Sequence, residues 1–315
     1  IFVYAARHGW LVIPTMPKMT PKVRKLGWLM LPGILGAGVY HLNIFADMII
    51  ASFLESGSIS YLYYADRLQQ LPLGVVGIAV GTALLPLLSR ALVAEKFEDA
   101  NNYFNRAIEA CLLFALPAAI ALMVIAKPIV LGLFHYGEFT LYNARMTALV
   151  LSCYAIALPL YIISKVFQSA CFAHQDTKTP VIIAAIAAVI NIIFGVTLSI
   201  YIGVAGIALA TSISGVVQII LLYRVMKRMD HLSFDERLKT NTVKIIASCL
   251  VMGGVIFALY SMLKGSFFEA STERVLALIG LVGVGGIVYL AMVAVLRVIS
   301  KDDLKMFFQR GKTQT

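Results

Sequence analysis

Charge is what this sequence has least of. Only 13% of its 315 residues are Asp, Glu, Lys or Arg, while 60% are hydrophobic and the mean hydropathy is +0.88. An ordinary soluble domain carries roughly 25% charged residues, so this composition excludes that class and indicates an integral membrane protein. Acids are scarcer than bases, and the formal charge is +10. That excess does not indicate nucleic acid, because Lys and Arg sit in short connections between apolar runs and form no binding motif. The four cysteines, Cys111, Cys153, Cys171 and Cys249, make no CxxC pair and read as small hydrophobes, with neither a disulfide framework nor a metal site. The histidines are scattered at 8, 41, 135, 174 and 231 with no HExxH spacing, which leaves metal catalysis unsupported. No GxxxxGK[ST] phosphate loop and no GxSxG elbow occur, so ATP hydrolysis and acyl transfer have no carrier. The acidic pairs Glu98–Asp99, Asp235–Glu236 and Asp302–Asp303 stand apart among basic residues. They do not form the carboxylate loop that a Mg²⁺-dependent transferase needs. Ile1 is neither a start methionine nor the head of a signal peptide, so the sequence reads as the later part of a longer chain.

What the chain does contain is long apolar runs. About 20 such residues cross a 30 Å hydrocarbon core. By that measure residues 1–12 are the end of one span, and eight complete spans follow near 28–54, 58–88, 103–126, 146–172, 180–200, 204–226, 243–263 and 275–298. The second is too long for a simple crossing, so its first part, 58–70, is expected to be an interfacial or cavity-lining extension before Pro72. One set of connections holds most of the basic residues, among them Lys18 to Lys25, Arg90, Lys96, Lys178, Arg224 to Arg228 and Arg297 to Lys312. The opposite set has only Arg67, Lys127, Arg145, Lys264 and Arg274. The positive-inside rule therefore places the 14–27 loop and the C-terminus in the cytoplasm. Gly77 and Gly81 form a GxxxG, and Gly280, Gly283, Gly285 and Gly286 crowd the last span; both groups are expected at helix–helix contacts.

Polar residues recur at helical spacing. Tyr40, Asn43 and Asp47 share one face; so do Tyr161, Lys165 and Gln168, and so do Thr211, Ser214 and Gln218. With Asn191, Asp66 and Arg67, five helices bring polar groups to an interior surface, which predicts a hydrated cavity. A Thr, Ser or Asn in such a helix is more often an interhelical hydrogen bond than a binding site. Asp47 can pair with Lys165 or a tyrosine, and the Arg106–Glu109 spacing accounts for Glu109 as an i, i+3 pair. Arg67 and Lys165 are harder to assign to structure alone, because an ionisable group inside a membrane is costly and marks a substrate or ion path. Two cations facing one interior suit a phosphate or pyrophosphate.

The run ASFLESGSISYLYYADRLQQLPLGVVGIAVGTALLPLLSR, the loop LFHYGEFT, the segment QDTKTP and the run GVAGIALATSIS together resemble the MurJ (MviN) family. These are lipid II flippases of the multidrug/oligosaccharidyl-lipid/polysaccharide exporter superfamily. The resemblance implies an all-α, polytopic membrane helix bundle: the C-terminal lobe of a two-lobed 14-helix transporter with its two extra C-terminal helices. Residues 1–27 would be the end of a sixth helix and a cytoplasmic connection, 28–228 the six-helix lobe, and 229–315 the final helix pair, a groove for the lipid tail, with a cytoplasmic tail. It implies translocation of the undecaprenyl-pyrophosphate-linked peptidoglycan precursor, lipid II, by alternating access in the bacterial inner membrane, without covalent chemistry. Arg67 and Lys165 would contact substrate, with Asp66, Tyr64 and Gln70 beside them. Asp47, Asn191, Thr211 and the Ile207 carbonyl would form a monovalent-cation set, with Na⁺ or H⁺ as coupling ion and no other cofactor. Besides lipid II, the partners implied are membrane lipids and an N-terminal lobe of the same protein, with no nucleic acid. The chain departs from many relatives in having Gln69 and Gln70, where they carry a carboxylate, and Gly195, where some carry a second acid. A drug or polysaccharide-lipid exporter of the same superfamily, or a polyprenyl-phosphate enzyme, are the alternative readings.

Overall fold

The computed structural model describes residues 20–228, 232–263 and 271–298, with the side chains of Lys22, of residues 25–37 and of Tyr40, Ser271 and Thr272 left outside that description. The predicted span at 1–12, the Tyr40 side chain and the basic tail therefore lie outside the described residues. Among the described residues all regular structure is helical. Helix α1 is Pro21–Ser52, started by Thr20, whose hydroxyl accepts from the Val23 N–H at 3.4 Å. Gly57 then turns the chain at φ +98°, where a Cβ would also stand 2.7 Å from the Tyr61 hydroxyl.

Helix α2, Ser58–Pro72, passes through a π-helical turn, Leu73–Ile78, into α3, Ala79–Val93. The resulting 36-residue rod is about 54 Å long at 1.5 Å per residue, well beyond the hydrocarbon core. The extension anticipated before Pro72 is thus continuous with the span. Pro72 has no N–H to give to the preceding turn, and the widened π turn that follows absorbs the break.

Helices α4 (Phe97–Val124), α5 (Ala126–Phe134), α6 (Leu141–Ala173), α7 (Lys178–Ile202), α8 (Val204–Met226), α9 (Glu236–Met262) and α10 (Ser271–Val295) complete the bundle. Seven of the described helices are long and apolar enough to cross a membrane. Helix α6 is the hub, packing on α2, α3, α4, α5 and α8 and on the π turn. Its buried Ala144, Ala148, Ala155, Ala157 and Ala170 let neighbours approach closely, and Leu151, Leu158 and Ile162 are fully enclosed. Within lipid such contacts hold by dispersion and complementary shape, since lipid tails are as apolar as leucine. Helices α7 and α8 approach closely: a Cβ on Gly206 would lie 2.4 Å from the Leu198 backbone carbon.

Gly77 and Gly81 do face another helix, meeting Ile162, Lys165 and Ser169 of α6. The glycines of α10 divide. Gly285 meets Ile256 of α9, whereas Gly280, Gly283 and Gly286 have nothing within 4 Å. Their spacing explains this correction, because positions 280, 283 and 286 share one helical face and 285 lies on the other.

A polar cluster fastens α9 to the start of α4. Arg106 pairs with both Glu109 and Asp235, and the Arg237 guanidinium lies 3.6 Å from Glu109. Asn241 donates to Glu109 at 2.5 Å and to the Val298 carbonyl at 3.2 Å. Asn105 donates to the Ser233 carbonyl at 2.8 Å. The i, i+3 pair expected from sequence is present, but it is one part of a network reaching across 130 residues of chain.

Candidate functional site: an open cavity

Helices α1, α2, α6, α7 and α8 enclose a cavity of about 910 Å³. Its lining runs from Ile59 on α2 to Leu73 at the start of the π turn, about 21 Å of helix at the standard rise. Most of the wall is apolar, with polar groups converging from four helices: Asn43 and Asp47, Asp66 and Gln70, Tyr161, Lys165 and Gln168, and Thr211, Ser214 and Gln218. The three-residue faces on α6 and α8 enter whole. Lys165 is exposed into this space, and Gly77 and Gly81 let α3 and the π turn pass close beside its stem. Among the described residues no salt bridge joins it to Asp47.

Two sequence-expected residues stand elsewhere. Arg67 is not part of the cavity wall: its guanidinium lies 4.8 Å from the centre of the Tyr63 ring and donates to Gln70 at 3.3 Å. The reason is local. Tyr63 sits one turn before Arg67 and offers its π face, and Asp66 and Arg67 diverge by about 100° around the helix. Gln70 spans the pair, its amide nitrogen donating to Asp66. Tyr64 packs on Phe134 and Phe139, with ring centres 4.7 and 5.5 Å away, instead of lining the cavity. Tyr63 takes that place.

Gln69 and Tyr154 also line the cavity, and the Gln69 amide donates to the Tyr154 carbonyl at 2.8 Å. Tyr154 was missed from sequence, although it stands seven residues before Tyr161 on the same face of α6. Tyr161 itself donates to the Thr211 carbonyl at 3.1 Å, tying α6 to α8.

Asp47, Asn191, Thr211 and the Ile207 carbonyl meet where α1, α7 and α8 converge. With its amide turned to satisfy the network, Asn191 donates to Asp47 Oδ1 at 2.9 Å. Thr211 Oγ1 is then 2.9 Å from the Asn191 carbonyl oxygen and 3.1 Å from the Ile207 carbonyl. One hydroxyl proton cannot serve both oxygens. The cluster therefore gathers more oxygen lone pairs than protons, an arrangement suited to a hard cation.

The family profile described as "Lipid II flippase MurJ" matches residues 1–278. A protein named probable lipid II flippase MurJ from Rhizobium meliloti (strain 1021) is 36% identical over 278 residues, 88% of this chain and 52% of its own. Its namesake from Vibrio cholerae serotype O1 is 36% identical over 304 residues, 95% of this chain and 57% of its own. The chain thus spans about half the length of these curated relatives. A solved lipid II flippase MurJ in an inward closed conformation superposes with a TM-score of 0.72 at 28% identity, covering 90% of this chain and 57% of that one. A multidrug resistance MATE family transporter of the MOP superfamily, in an outward-facing conformation, shares the fold alone, with a TM-score of 0.56 at 14% identity over 86% of this chain and 64% of that one.

Proposed function

We propose, from the premise that the chain belongs to the MurJ family of lipid II flippases, that it forms the C-terminal lobe and final helix pair of a two-lobed, fourteen-helix transporter. That transporter carries lipid II across the bacterial inner membrane by alternating access, with its C-terminus in the cytoplasm and without covalent chemistry. The observation that carries this reading is Lys165, the basic residue lining the 910 Å³ cavity. A flexible ammonium in a partly apolar cavity is a point-charge partner for a pyrophosphate. Arg67 stands at the rim, and rotation off Tyr63 would bring a bidentate donor to the same anion. Asp66 and Gln70 would position it.

Charge bookkeeping in the cavity links this to a coupling ion. Among the described residues the wall holds two carboxylates, Asp47 and Asp66, against one ammonium. An anionic headgroup is disfavoured there until Asp47 is neutralised. Sodium held by Asp47, Asn191, Thr211 and the Ile207 carbonyl would do so, and so would a proton on Asp47.

Complementation of flippase-depleted cells by the full native protein tests the reading. Lys165→Ala and Arg67→Ala are each expected to abolish or strongly reduce growth at normal membrane expression. Full rescue by both would remove the cation mechanism. If the chain instead served another substrate of the superfamily, lipid II would fail to stabilise the purified protein where a drug or other polysaccharide-linked lipid succeeded.

A further inference from the structure

Among the described residues the cavity wall carries four glutamines, and they are of two kinds. Gln69 and Gln70 spend their amides within the protein, donating to the Tyr154 carbonyl at 2.8 Å and to Asp66. Gln168 on α6 and Gln218 on α8 make no hydrogen bond among the described residues, although Gln218 is only 8% exposed. The hydroxyl protons beside them are already committed: Ser164 donates to the Tyr161 carbonyl and Ser214 to the Thr211 carbonyl, both at 2.8 Å. Each of the two free amides therefore offers the cavity one carbonyl acceptor and an NH₂ donor, with no charge.

Both stand beside Lys165. Gln168 follows it on the same face of α6. Helices α6 and α8 run in the same direction, since Ser212 donates to the Cys153 carbonyl at 2.7 Å and a Cβ on the later Gly215 would meet Ala157, Leu160 and Tyr161. Continuing along α8, Gln218 reaches the turn of α6 that holds Ser164 and Lys165. The ammonium is thus bordered by two neutral groups that both donate and accept. Resting on the reading that Lys165 takes the pyrophosphate of lipid II, we propose that Gln168 and Gln218 form the subsite for the sugar attached to that pyrophosphate. The hydroxyl and acetamido groups of such a sugar donate and accept as an amide does. Phosphate oxygens accept only, and would leave the two amide carbonyls unmatched. A site built to hydrogen-bond a substrate group disfavours the analogue that lacks it, because its own buried polar groups are then left unpaired. The glutamines accordingly separate the sugar-loaded carrier lipid from the bare one, a distinction that Lys165 cannot make because both carry the pyrophosphate.

The test is native mass spectrometry of the full native protein with lipid II, with an analogue that keeps only its first sugar, and with undecaprenyl pyrophosphate. The parent is expected to prefer both sugar-bearing lipids to undecaprenyl pyrophosphate. Gln168→Met and Gln218→Met keep the side-chain length and remove the amide. Each should lose about fivefold of that preference, the scale of one hydrogen bond, with its undecaprenyl pyrophosphate adducts unchanged, and either variant suffices if the other does not fold. Equal weakening of all three lipids would make the glutamines structural, an unchanged preference would mean that the sugar is read elsewhere, and a loss confined to lipid II would move the contact to its second sugar. Each of these results overturns the subsite and leaves the role of Lys165 standing. A parent that binds none of the three lipids would remove the lipid II reading, and the subsite with it.

Discussion

The guanidinium of Arg67 rests 4.8 Å from the ring centre of Tyr63, one helical turn earlier, and does not reach into the cavity that Tyr63 itself lines. An exposed cation–π contact of this kind is worth about 0.5–1 kcal/mol, small enough for a pyrophosphate to outbid. Tyr63→Ala should therefore release Arg67 and tighten lipid II binding by roughly two- to fivefold on that scale. Tyr63→Phe keeps the ring and should change little. Substrate-induced thermal stabilisation of the purified protein measures both, and weaker binding in the alanine variant would mean that the ring, not the freed arginine, contacts substrate.

Asp47 is the charged member of the oxygen cluster on α1, α7 and α8. If sodium is the coupling ion, raising sodium against a choline background should raise the unfolding temperature of the parent and leave Asp47→Ala unmoved. A proton-coupled protein would give no sodium response in either and a pH response in the parent alone.

Glu109 is only 8% exposed and receives Arg106, Arg237 and Asn241 together. Glu109→Gln keeps one acceptor oxygen but removes the charge and sets an amide NH₂ donor against the donors that the other oxygen served, so it should destabilise by about 3 kcal/mol, the usual range for breaking one side of a buried pair. The loss should appear as early unfolding of α9 by hydrogen exchange, because this cluster joins that helix to α4. Protection that fell evenly across the bundle would contradict a local fastening.

Asp176 precedes α7 in the connection from α6, and its carboxylate accepts from the Thr179 N–H at 3.0 Å. Partial burial pushes its carboxyl up, but hydrogen bonds from Thr179 and the Lys178 backbone, with the Lys178 charge, outweigh that and hold it below its ordinary value of 3.8. A folded-state value below the unfolded one stabilises fully above 3.8 and fades as pH falls through the lower folded value. Asp176→Ala should cost about 1 kcal/mol near neutral pH, as loss of a helix-start acceptor does. Its unfolding temperature should converge on the parent's as the buffer is taken into the acid range. A gap that stayed constant with pH would exclude the carboxylate as the source.

Most of the cavity was legible in the sequence. Asn43 with Asp47, the triad on α6 and the triad on α8 each repeat at intervals that fix a common face, and a polar face on an apolar helix has to find water or another polar face. The adjacent pair Asp66–Arg67 was less legible, because neighbours on a helix point in different directions and only the rotamer decides what each side chain meets. Glycine spacing on α10 likewise gave a face without saying what lay opposite it.

The sequence by itself determined an all-helical membrane chain, the approximate limits of its spans and which faces are polar, because hydropathy and the 3.6-residue period are local properties. Only the tertiary structure decided that Lys165 stands in the cavity while Arg67 lies on Tyr63, that Glu109 is bound from α9 as well as from its own helix, and that Gln218 of α8 comes level with Lys165 of α6. Those outcomes depend on which helices pack together and at what depth, and on competition among partners far apart in the chain, which no local pattern encodes.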